Sequence, residues 1–429
     1  MLLDLPLELQ MLVYKHAPKT TLVSLMCTSS HIHRIVEPIL YREVIIDDQA
    51  SEDRMMALID SRRARGFINT TENISESDLE TLDGPTSFSL FRKTLMRKPF
   101  HFGPLLKSLE INEVSMELEW DELKEMFLTM PNLLTLSITS AMGGWDDDDV
   151  SVLSRVTPSI RSFSSKSLGL SPKFISFLET HPNLKVWHHG TGNGFLMEPE
   201  VPVPAHVLSR ITHYDAAITD AEKTATLLRG MTNLAHLSLS HSASFKETLD
   251  EAAYGAALRT ELGALSVCGK GLVSLFYSRH FPTTWRMSTP GPGRWDSFLW
   301  IVRNILPRTP SLQHLRVDCW FLDTSTLIEP PSDIRPFIPK TLRTFQVVRP
   351  GLIPCDDDSG EDEVERWPPT TEVALRVARV VSAVMPSVER FDFLGCDMFK
   401  GNDGIWRRNT SSDGVWPLNW AIMDLQYRS

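Results

Sequence analysis

The chain has 429 residues, 42% hydrophobic and 23% charged, values that suit a large packed core and exclude wholesale disorder. Its 54 acidic residues outnumber 43 basic ones, and the formal charge of -11 repels a phosphate backbone, so nucleic acid is not the expected partner. Five cysteines without a C-x-x-C pair, Cys27, Cys268, Cys319, Cys355 and Cys396, fit a reducing compartment, and no apolar run approaches the roughly eighteen residues of a membrane span.

The chain opens on helical signals. Pro6 suits the first position of a helix and Glu8 its positive end, and Leu9, Leu12 and Val13 fall on one face. After Pro18, Thr20 or Thr21 can cap a second helix on which Leu22, Leu25 and Met26 repeat that stripe. A third short helix around 31–36 is expected to stop before Pro38. Three helices this short cannot bury so much apolar surface among themselves, and something else must cover it. A cap packed on the rest of the chain is the plainest answer.

Three clusters suggest another. Leu5-Pro6-x-Glu8-Leu9, then Leu22-x-x-Leu25-x-x-Thr28 with Cys27, then Pro38-x-Leu40-Tyr41-Arg42, in that order, resemble the F-box, which docks on the Skp adaptor of cullin-RING ubiquitin ligases. The resemblance implies an adaptor contact on Leu5, Pro6, Leu9, Leu12, Leu22, Leu25 and Met26, with a cullin reached through that adaptor. The link Lys15-His16-Ala17-Pro18 is shorter than the family's usual one. Asp4 and Glu8 stand where a signal peptide would be basic, so a cytoplasmic or nuclear protein is expected.

Val44, Ile45 and Ile46 form an expected strand leaving this unit. Residues 47–103 are expected to be a helical linker, with a loop around 66–83 and a helix over 88–97 that sets Phe88, Phe91 and Leu95 on one side. The run from Phe91 to Leu109 resembles the bridge that fungal-type F-box proteins place before their repeats. Its basic residues Arg92, Lys93, Arg97, Lys98 and Lys107 are those of a solvated helix face.

Internal repetition follows. The pattern L-x-x-L-x-L recurs at Leu106-Leu109-Ile111, Leu133-Leu136-Ile138, Leu234-Leu237-Leu239, Leu272-Leu275-Tyr277, Leu312-Leu315-Val317, Leu342-Phe345-Val347 and Val388-Phe391-Phe393, with degenerate copies at Ile160-Phe163, Leu184-Trp187 and Leu208-Ile211. Helical periodicity fills 120–130, 172–181, 220–231, 295–306 and 371–385 between them. A helix followed by a short alternating strand argues for stacked parallel strands, and this part is similar to the leucine-rich repeat family. The resulting expectation is an α/β chain: a three-helix F-box over 1–46, the linker, an irregular right-handed leucine-rich-repeat-like solenoid or horseshoe over 104–396, and a Trp-rich C-terminal cap over 397–429. The usual Asn or Cys after the last leucine is mostly missing, so the loops are expected to satisfy their backbone groups individually.

In such strands the residues between the leucines face the concave surface. Early copies offer small hydroxyls and late copies Arg, Asp and aromatic groups. A protein target is therefore expected on His236, Phe276, His314, Arg316, Asp318, Gln346, Arg390 and Asp392. The insertion 282–295 could project over that face, and Trp406, Trp416 and Trp420 suit a structural cap. The acidic runs 146–149 and 356–365, with Ser359, suit solvated segments. His188-His189 and His31-x-His33 lack further zinc ligands, and no P-loop, G-x-S-x-G or H-E-x-x-H occurs. No catalytic group, metal or cofactor is expected. The function these residues imply is target recognition for a ubiquitin ligase, and the alternative is a repeat scaffold acting outside ubiquitin transfer.

Overall fold

The computed structural model of the protein describes residues 6–47, 87–112, 120–138, 150–165, 169–189, 202–218, 221–241, 251–278, 297–318, 332–348, 371–393 and 396–409. These fall into two units, Met1–Leu184 with Gly192–Pro202, and Lys185–Thr191 with Val203–Ser429.

The first unit opens with α1 (Leu7–Lys15), α2 (Lys19–Met26) and α3 (Ser30–Leu40). Pro6 and Pro18 stand at the N-caps of α1 and α2, so Thr20 and Thr21 lie inside α2 and do not cap it. Ser29 caps α3, its side chain accepting from the Ile32 amide at 3.1 Å. Contrary to expectation, α3 runs through Pro38. The missing N–H would have served Arg34, an exposed residue whose carbonyl solvent can satisfy, so the helix keeps its last turn. Tyr14, Leu22, Ile32, Ile35 and Val36 make a small core, with Leu25, Met26, Ile39 and Leu40 packed on it.

Only Tyr41 and Arg42 separate α3 from β1 (Glu43–Asp47), which pairs in parallel with β2 (Ser108–Asn112). The sheet therefore begins at Glu43 and not at 104. Tyr41-x-x-Val44-x-Ile46 is its first copy, disguised because tyrosine, valine and isoleucine replace all three leucines. Phe102 lies 4.6 Å from the Tyr41 ring. β2 continues in parallel to β3 (Thr135–Ile138) and β3 to β4 (Ser162–Ser165). The helices of this unit are α4 (Ser87–Arg97), α5 (Pro99–Phe102), α6 (Trp120–Leu128) and α7 (Pro172–Thr180). α7 lays Phe174 and Phe177 against Phe163 of β4.

In the second unit β5 (Val186–His189), β6 (His213–Ile218), β7 (His236–His241), β8 (Ser274–Ser278), β9 (His314–Asp318), β10 (Thr344–Val348) and β11 (Arg390–Phe393) pair in parallel in chain order. Between them run α8 (Ala205–Leu208), α9 (Ala221–Gly230), α10 (Glu251–Cys268), α11 (Ser297–Asn304) and α12 (Thr371–Val384). The expected helical segments are present within a few residues. The 18-residue α10 has no counterpart among the expectations, because alanines spread around it give no apolar stripe. It packs on α9, with Leu258 and Ala257 near Ala221 and Trp300. β12 (Cys396–Lys400) and β13 (Trp406–Arg408) then turn antiparallel, with Gly404 at φ 77° between them. Trp406 is buried edge-on to Phe391, and its indole N–H donates to Ser382 Oγ at 3.0 Å. Trp416 and Trp420 lie outside the described residues.

Within each unit the copies are tied to one another. The Arg42 carbonyl accepts from the amides of both Lys107 and Ser108, and the same fork recurs at Lys107, Leu134, Lys185, Thr212, Ala235, Val273, Gln313 and Arg343. Side chains repeat the tie, which corrects the expectation of loops satisfied one by one. Asn132, Asn183 and Asn233, each just before the first leucine of its copy, donate to the carbonyls of Pro104, Pro158 and Ser209 at 2.8, 3.2 and 2.7 Å. Thr341 does the same to Leu312 at 2.7 Å. The polar ladder exists, but it stands ahead of the leucines and not after them. The result is a mixed α/β fold of repeated helix and strand copies, with a mainly parallel sheet in each unit.

Candidate interaction surfaces

α1 is built inside out. Gln10 and Tyr14 face its core at 3% and 1% exposure, while Leu9 and Leu12 stand outside at 47% and 53%, flanked by exposed Pro6, Leu7, Met11 and Val13. On α2, Val23 is exposed. Leu22 is buried at 3%, and Leu25 and Met26 pack half-buried beside it. Of the residues expected at an adaptor, Pro6, Leu9 and Leu12 are thus outward and Leu22 is inward, with Leu25 and Met26 between; Leu5 lies outside the described residues. Leu7, Met11 and Val23 were not foreseen. A helix apolar on most of its sides shows no single stripe, and only the inward seats of Gln10 and Tyr14 reveal which leucines are left over.

The strand residues between the leucines line the polar face of each sheet. In the first unit these are Ser108, Glu110 and Asn112 of β2, with Asn112 donating to Glu110 at 2.9 Å, then Thr135, Ser137, Ser162 and Ser164. In the second unit two rows run across the strands. One is His213, His236, Ser274, His314, Thr344 and Arg390; the other is His188, Asp215, Ser238, Phe276, Arg316, Gln346 and Asp392. All the expected target-contact positions fall on these rows except Asp318, which holds the next place beside Ser278.

The rows are cross-linked. The His213 and His236 rings stack with centroids 4.1 Å apart. Ser274 Oγ is 2.5 Å from His236 Nδ1, Thr344 Oγ1 is 2.9 Å from His314 Nδ1, and Asp215 is 3.2 Å from His188 Nδ1. The Arg316 guanidinium lies 4.6 Å over the Phe276 ring, a cation–π contact that holds it flat. Gln346 donates to Asp392 at 2.9 Å, and Arg390 grips Asp397 of β12 through two bonds at 3.0 and 2.6 Å. Burial, reinforced by His236 and His188, pushes His213 down to about 3, and burial with His236 pushes His314 down to about 4. Near neutral pH both rings are uncharged. Gln346 and Asp392 are themselves buried, so they contribute a braced floor, while Arg390 of β11 and most of the groups on β5 to β9 are half-buried.

His213 and Asp215 were missed. The degenerate copy was sought at Leu208-Ile211, whereas the register makes it Ile211-x-x-Tyr214-x-Ala216. The interval from Leu184 to Ile211 to Leu234 carried the signal, obscured by tyrosine and alanine in leucine seats.

Among the described residues no group of three or more His, Cys, Asp or Glu is placed to hold a metal, and no helix is long and apolar enough to cross a membrane. His31 and His33 are exposed, and Arg92 of the basic run pairs with Glu122. The insertion 282–295, the acidic runs and Ser359 lie outside the described residues.

No family model and no curated protein matches the sequence. Among solved structures, the leucine-rich repeat-containing protein LegL7 from Legionella pneumophila is similar over 77% of this chain and 95% of that one, at 14% identity and a TM-score of 0.41. A chain of the yeast Rad7 and Elc1 complex is similar over 70% of this chain and 62% of that one, at 14% identity and a TM-score of 0.26.

Proposed function

We propose that the protein is a substrate-recognition subunit of a Skp-cullin-F-box ubiquitin ligase. The observation that carries this reading is the reversal in α1, where leucines are outside and Gln10 and Tyr14 inside. An apolar patch of this kind on a short helix is the mark of a protein contact. Its Pro6, Leu9 and Leu12 are among the residues that the F-box resemblance assigns to the adaptor. The polar strand face of the second unit then holds the target protein, with Phe276 and Arg316 as its anchors. The chain supplies proximity and orientation while the bond-making groups, and the cullin reached through the adaptor, lie elsewhere in the assembly. Its compartment is the cytoplasm or nucleus.

Co-expression with a Skp-type adaptor tests this. Leu9→Asp abolishes co-purification and leaves the tryptophan emission of the array unchanged; retained adaptor binding would refute the reading. A rival, in which the helices merely cap a scaffold, draws on the short α3–β1 joint and on Glu37, which holds His101 of α5 at 3.0 Å. Deleting residues 1–40 separates the two. The receptor loses adaptor and cullin and keeps its other partners, whereas the scaffold loses no ligase component.

A further inference from the structure

The fold divides the basic run of the first unit. Arg92 pairs with Glu122 of α6, and Lys107 is half-buried ahead of β2. Lys93, Arg97 and Lys98 are exposed, and no acidic side chain of the described residues pairs with them. Residues 87–105 hold Arg92 and these three cations but no Asp or Glu, in a chain whose formal charge is -11. Cations gathered without counter-charges repel one another, and an anionic partner relieves that repulsion.

Apolar groups frame the same face. α4 turns Phe88 and Leu95 into the fold, which leaves Leu90 exposed on one side of the helix with Lys93 and Arg97, three and seven places on. Phe100 of α5 is 97% exposed, more than any other large apolar side chain described. A Cβ on Gly103 would lie 1.8 Å from the Thr129 carbonyl oxygen, so the turn after α5 closes tightly on the end of α6, where Leu128 is exposed as well. An aromatic ring beside arginine is the composition of a protein-contact anchor.

We propose that this face of α4 and α5 binds an acidic segment of a partner protein, its carboxylates on Lys93, Arg97 and Lys98 and an apolar side chain against Phe100 and Leu90. A lipid surface is the poorer match, because a helix lying in one collects its apolar side chains on a single outward face, and α4 buries Phe88 and Leu95 in the fold. The face shares no residue with the α1 patch or the strand rows, so it stands whether or not the ligase reading does.

The test is fluorescence anisotropy with the full chain and the labelled peptides EELEDFEE, EEAEDAEE and KKLKKFKK. EELEDFEE is expected to bind saturably, one per chain, and about tenfold more weakly when salt is raised to about 0.3 M, since exposed charges are screened. EEAEDAEE binds at least about fivefold more weakly for want of its apolar anchors, and KKLKKFKK does not bind. Phe100→Ala weakens EELEDFEE binding about tenfold, and Lys93→Glu combined with Arg97→Glu abolishes it, with the melting temperature unchanged in both because these positions are on the surface. Equal binding of EELEDFEE and EEAEDAEE, undiminished binding in either variant, or no binding of EELEDFEE at about 1 mM would overturn the proposal. So would phosphatidylserine vesicles that sediment the chain but not the charge-reversed variant, or a dimer that the variant no longer forms, since the occupant would then be lipid or a second copy.

Discussion

The opening helices and the strand arrays use leucine in opposite ways. On the strands Leu109, Leu136, Leu275 and Leu315 are fully buried, because each copy has a neighbour and a helix to cover it. On α1 the leucines are half exposed, and a glutamine and a tyrosine take the inner seats. Burial stabilises by roughly 25 cal/mol per Å² of apolar surface, which the array collects from its own chain and α1 forgoes. The same residue type thus marks self-assembly in one region and an exposed apolar face in the other, and only its neighbours tell the two apart.

The comparison breaks most sharply at a single leucine. Leu275→Ala should cost about 2 to 5 kcal/mol, because neighbouring strands cannot collapse onto the gap, whereas Leu12→Ala should stay within about 0.5 kcal/mol. Urea unfolding followed by tryptophan fluorescence checks the first, since every tryptophan lies at or beyond Trp120 and reports nothing of α1 to α3. Circular dichroism of the whole chain checks the second.

Acid should separate the regions next. His213 and His314 are held at about 3 and about 4 against an ordinary 6.5, so as pH falls the unfolded chain takes up protons first. Their contribution to array stability is complete above about pH 6.5 and is lost progressively toward pH 4 and then 3. His31 and His33 of α3 are exposed, and no tryptophan lies on that helix. Denaturation midpoints by tryptophan emission should therefore decline between pH 6.5 and 4, and His213→Gln should flatten that decline. A slope unchanged by the substitution would remove His213 as its source.

These contrasts show what a linear pattern can convey. L-x-x-L-x-L located most strands, and the helical period located most helices, because in both the inward side chains are the apolar ones. The pattern failed where the seat was kept and the residue changed: Tyr41, Val44 and Ile46 in the first copy, Tyr214 and Ala216 in the sixth. It failed again in α10, whose alanines pack on any side. The exposed face of α1 was only partly legible, since periodicity says which residues share a side and not which side has a partner. Leu22 is on a stripe, as expected, yet that stripe closes the helices' own core.

The smallest effect lies in the ladder that binds one copy to the next. Asn233 donates across 24 positions to the Ser209 carbonyl at 2.7 Å, on the exposed rim of the second unit. Asn233→Ala should cost only about 0.5 to 1.5 kcal/mol, because solvent can take over the carbonyl once the amide is gone. The loss should nevertheless be cooperative, because the Thr212 carbonyl that receives the Ala235 and His236 amides lies in the same joint between copies. Hydrogen exchange at Ala235 and His236 should quicken while amides of α3 keep their rates. Equal quickening in α3 would mean that helices and array unfold as one body, and that the division of labour between leucines kept in and leucines left out does not extend to stability.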